Sequence, residues 1–72
     1  MGGLNYKQQV VLPILEDHLN PQYVKPALED SDLVEEIYSA SVKVSDKFAL
    51  EVALNTLFHY FLCVLDRERA EL

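Results

Sequence analysis

The sequence predicts an all-α fold, a small helical bundle of three to four helices ending in a long, highly apolar C-terminal helix. Residues 46–70 contain neither glycine nor proline, so nothing in that stretch breaks a helix. Upstream, apolar residues recur at spacings of three and four, the pattern of a buried helix face. Period-two alternation, which builds strands, occurs only in Ser41-Val42-Lys43-Val44-Ser45, which has no second strand to pair with.

The first helix opens at Asn5, whose side chain can cap a free amide while Gln8, three residues on, reaches back. It is expected to run to about Leu19, with Val10, Val11, Ile14, Leu15 and Leu19 along one face. Pro13 removes a hydrogen bond and crowds the carbonyl of Gln9, which predicts a kink or two short helices. Asn20-Pro21 starts a new turn, since asparagine caps well and proline suits the first helical position. Pro26 disfavours helical backbone at Lys25, so this turn should stop there and a further piece begin at Pro26.

Asp32 and Glu35 have capping-box spacing and predict a helix from about Leu33 to Ala40 or Ser41. Leu33, Val34, Ile37 and Tyr38 should face inward, with Asp32, Glu35, Glu36 and Ser39 outward. Residues 42–44 then read as an extended connection, and Ser45 as the cap of the last helix. Asp46 in the first turn of that helix and Arg67 and Arg69 near its end suit the helix dipole.

A chain of 72 residues has room for one core, so residues 1–72 form a single helical domain, with residues 1–4 a disordered or vector-derived start. The one cysteine, Cys63, cannot form an intramolecular disulfide and suits a reducing compartment. With no secretory signal at Met1 to Tyr6, this points to the cytoplasm. Twelve acidic residues against six basic ones give a net charge of −6, which repels nucleic acid and anionic membranes.

Phe48 to Leu65 approaches a membrane span in length and apolarity. Glu51, Asn55 and His59 within it, Asp66 just beyond and the lack of a flanking basic cluster oppose that reading. A core helix covered on most sides is expected instead. At about 100° per residue, Leu50, Ala53, Leu54, Leu57, Phe61 and Val64 share one face and should meet the domain's own core, with Tyr60 at its border.

The far side carries Glu51, Asn55, His59 and Cys63 as a slanting polar row among Phe48, Val52 and Leu62. Exposed together, these apolar groups would mark an interaction site. Phe48, Val52, Asn55, His59 and Leu62 are therefore the expected protein interface, with Asn55 and His59 setting register. Glu29, Asp30, Asp32, Glu35 and Glu36 form a second candidate, an acidic face for a basic partner.

Chemistry has little to build on. His59 and Cys63 lie one helical turn apart, but no Gly-rich loop supplies an oxyanion site and no third group orients the pair. Glu51, Asn55, His59 and Cys63, even with Glu16, Asp17 and His18, do not reproduce a zinc-ligand pattern. No cofactor, metal or catalytic residue is expected. The sequence reads as a small acidic, regulatory protein-protein interaction module, an adaptor, inhibitor or accessory subunit, and a homodimer. The alternative is a structural self-assembly domain, or a piece of a longer chain that serves as one.

Overall fold

The computed structural model describes residues 3–70, and the first two residues of the expected disordered start lie outside them. Four helices follow in order: α1 (Tyr6–His18), α2 (Pro21–Glu29), α3 (Ser31–Lys43) and α4 (Lys47–Ala70). No strand occurs among the described residues, so the all-α bundle stands as read from the sequence.

The expected capping box closes α1. Asn5 Oδ1 accepts from the Gln8 amide at 2.8 Å, and Gln8 Oε1 accepts from the Asn5 amide at 2.9 Å. Pro13 does not divide the helix, which is continuous from Tyr6 to His18. Gln9 and Pro13 both lie on its exposed side, where water can satisfy the freed carbonyl. Pro26 likewise sits inside a continuous α2 instead of starting a new piece. Gln22, whose carbonyl it leaves without a partner, is exposed, and the fully buried Ala27 and half-buried Val24 and Leu28 hold the segment against the core. Tertiary packing overrides local propensity here.

The α3 helix starts at Ser31, two residues ahead of the expected position, because Asp30 is the cap: its Oδ1 accepts from the Leu33 amide at 3.1 Å. It also continues through the stretch expected to be extended, as far as Lys43, with the Ser41 hydroxyl donating back to the Tyr38 carbonyl at 2.8 Å. Only residues 44–46 remain to connect it to α4. There the cap is Asp46, not Ser45: Asp46 Oδ1 accepts from the Phe48 amide at 3.0 Å, and its carbonyl accepts from the Leu50 amide.

The core gathers Val11, Leu15 and Leu19, Ala27 of α2, Leu33, Val34 and Ile37 of α3, and Leu54, Phe58 and Phe61 of α4. Leu15, Ile37 and Val11 are wholly enclosed. Helix α3 touches each of the other three, while α4 rests chiefly on α3. The Gln8 side-chain amide donates to the Leu28 carbonyl at 3.1 Å, joining the start of α1 to the end of α2. Tyr6 meets Tyr38 edge-on at 6.1 Å, and the Lys7 ammonium lies 5.3 Å above the same Tyr38 ring.

The expected central position of α4 is not observed. Its buried arc is narrow and is turned toward Phe58 and Leu65, outside the core face expected from spacing alone. The cause is α1, whose His18 ring packs on Phe58 with centroids 5.3 Å apart. Leu50, Ala53, Leu57 and Val64 are consequently only half-buried.

Candidate functional site

The outer flank of α4 is left uncovered by the described residues. Phe48 is 77 % exposed and Val52 52 %, and Asn55, His59 and Cys63 are also exposed. Leu62 differs from the rest of the expected interface: it is half-buried and packs against the core, so it lies at the inner edge of this flank. The five interface positions 48, 52, 55, 59 and 62 are spaced four, three, four and three residues apart. That is the heptad rhythm of a seam between paired helices.

Between Phe48 and Cys63 the flank carries one charged side chain, Glu51, at its edge beside Leu62, where its carboxylate is 3.2 Å from His18 Nε2 on α1. Cys63 Sγ lies 3.8 Å from His59 Nε2. Among the described residues, no cluster of three or more His, Cys, Asp or Glu side chains is placed to hold a metal ion. By length and composition alone, Lys47–Arg69 is long and apolar enough to cross a membrane, with a mean hydropathy of 1.6 over its best window.

The expected acidic face is divided by the fold. Glu35 is drawn onto α1 by Lys7, whose ammonium donates to both carboxylate oxygens at 2.6 and 2.8 Å. Glu29 lies on the same side, beside Asn5 and Lys7. Asp30, Asp32 and Glu36 turn the other way and are joined by Glu68 from the far end of the chain. These four rim a groove of about 500 Å³ between the start of α3 and the second half of α4. Leu33, Leu57, Phe61, Val64 and Leu65 form its floor, and Tyr60, 71 % exposed, stands at its lip. A second hollow of about 460 Å³ continues along the same seam, sharing Glu36 and Leu57 and ending at Lys43 and Val44.

His18 joins α1 to the flank and titrates. Its Nδ1–H donates to the Ile14 carbonyl at 2.9 Å, leaving Nε2 to face Glu51. Partial burial by itself lowers the pKa of the imidazole. The hydrogen bonds to Ile14 and Glu51, with the charges of Glu51 and Asp17, outweigh that and raise it above its ordinary value of 6.5. Because the folded pKa lies above the unfolded one, this stabilisation is complete below the ordinary value and is lost as pH rises through the folded pKa. The melting temperature should therefore fall as pH rises above the ordinary value of 6.5, by an amount that shrinks in His18→Gln. The effect is small, roughly 0.5–1 kcal/mol, as for a cation at a helix C-terminus paired with a half-exposed carboxylate. Equal pH dependence in the two proteins would remove His18 as the cause.

No family model, curated protein or solved structure matches this chain. Fold and site together define the class no more finely than a four-helix domain with one uncovered apolar helix flank and one acid-rimmed groove.

Proposed function

We propose that this domain is a protein-protein interaction module, acting by binding and not by catalysis. One observation carries the reading: the long helix α4 leaves Phe48 and Val52 in water, on a flank that the described residues do not cover. Contiguous exposed apolar surface of this kind marks an interaction site. An adaptor, inhibitor or accessory subunit would use it to hold a larger protein.

Self-association on the same flank is the form of this reading with the most support. The heptad spacing suits helix-to-helix pairing, and the one charge at the edge of the seam, Glu51, faces His18 of its own chain, which limits the opposition of like charges between two copies of net charge −6. Antiparallel pairing about Asn55 would set opposite helix dipole ends side by side. A membrane-spanning role has less support, because insertion would carry Glu51 into hydrocarbon and strip Phe58 and Phe61 out of the folded core.

Sedimentation equilibrium over a range of protein concentrations, without detergent, tests the self-association directly. A dimer is expected, and a monomer at every concentration would overturn this form of the reading. Asn55→Leu should tighten the association and broaden its stoichiometry, since a polar residue in an apolar seam fixes register at a cost in stability. Unchanged association in that variant would place Asn55 outside the contact.

A further inference from the structure

We infer that the groove between α3 and α4 binds a cationic amphipathic helix of another protein. The partner's apolar residues would rest on Leu57, Phe61 and Val64, and its lysines or arginines would face Asp32, Glu36 and Glu68. This rests on the reading of the domain as a protein-binding module, and it adds a second surface and the chemistry of its partner.

Shape supplies the first support. The groove and the hollow that continues it follow α3, a helix of 13 residues, which at about 1.5 Å per residue gives a trough of roughly 20 Å. Three turns of a partner helix fit that length, with anchors every three or four residues. Tyr60 at the lip offers an apolar ring and a polar tip, a residue type enriched where proteins bind.

Charge selects the occupant. Among the described residues lining the main groove there are four carboxylates and no lysine or arginine. Lys43 comes only at the far end of the second hollow. A rim of this sign repels nucleic acid and anionic lipid. It also disfavours a second copy of this chain, whose six cations are scattered over all four helices and make no basic face. A helix with apolar anchors flanked by cations satisfies floor and rim together.

The groove also lies on roughly the opposite side of α4 from the Phe48 to Leu62 row, as about 100° per residue requires. Pairing through that row would leave two open grooves per dimer, so that a partner with two such helices would gain from avidity.

The probe is a fluorescent synthetic peptide of about 18 residues, leucines on one helical face and lysines on the other, beside a twin with glutamate for lysine. It is titrated into the full chain and into Val52→Glu. Saturable binding of the lysine peptide alone is expected, weakening as salt rises, with amide shifts centred on Leu57, Tyr60 and Val64. Asp32→Asn with Glu36→Gln should weaken binding roughly three- to tenfold, and Tyr60→Ser roughly tenfold. The charge-matched pair Glu16→Gln and Glu29→Gln, outside the groove, should change it less than about twofold.

Equal losses in the two charge pairs would reduce the binding to unspecific attraction and overturn the proposal. Shifts centred on the Phe48 row, or no saturable binding, would overturn it as well. Sedimentation separates this proposal from self-association: a monomeric wild type that binds the peptide at Tyr60 keeps the groove and removes the dimer. A dimer without saturable peptide binding does the reverse.

Discussion

Val52→Glu is expected to convert a dimer into a monomer while leaving the fold intact. In the isolated domain Val52 is about half exposed, so a carboxylate there stays in water and costs the monomer little. In a close-packed seam the same carboxylate would be buried without a counter-charge, a cost of about 3–5 kcal/mol. At about 1.4 kcal/mol per decade, the dissociation constant should rise by at least about a hundredfold. Sedimentation should show the monomer mass at concentrations where the wild type is dimeric, with the helical circular dichroism unchanged. A variant that stays dimeric would move the contact off this flank. Val52 is a cleaner position for this test than Leu62, which also packs against the core, so that Leu62→Glu would damage both fold and seam.

The largest effect on stability is expected from Ile37→Ala. Ile37 is wholly buried on α3, which packs against each of the other three helices. Truncating an enclosed isoleucine costs about 2–5 kcal/mol through lost burial and the cavity it leaves. A domain this small has a total stability near the lower end of roughly 5–15 kcal/mol, so the variant should be largely unfolded or close to it. A fall in melting temperature of at least about 10 °C is expected by circular dichroism, read at one fixed protein concentration because association adds stability by mass action. Ile37→Val should lose only about 0.5–1.5 kcal/mol. A melting temperature in Ile37→Ala within a few degrees of wild type would mean that the four helices do not share this core.

The sequence by itself determined the helical fold class, the Asn5–Gln8 cap of α1 and the long uninterrupted helix α4, because caps, breakers and spacing act within a few residues of one another. It also brought out the apolar and polar row on α4, since periodicity sorts residues into faces without reference to other helices. It went wrong where packing outweighs propensity, as at Pro26, which α2 absorbs because Ala27 is held in the core. Only the tertiary structure decided which faces are covered. Phe58 enters the core because α1 reaches it through His18, and Phe48 and Val52 stay in water because no helix reaches them. The run of carboxylates from Glu29 to Glu36 looks uniform in one dimension. Lys7, 28 residues before Glu35 in the chain, pairs with it on one side, while Glu68 closes the groove on the other. The physical reason is that such pairings depend on how helices distant in sequence cross in space, and local periodicity carries no record of that crossing.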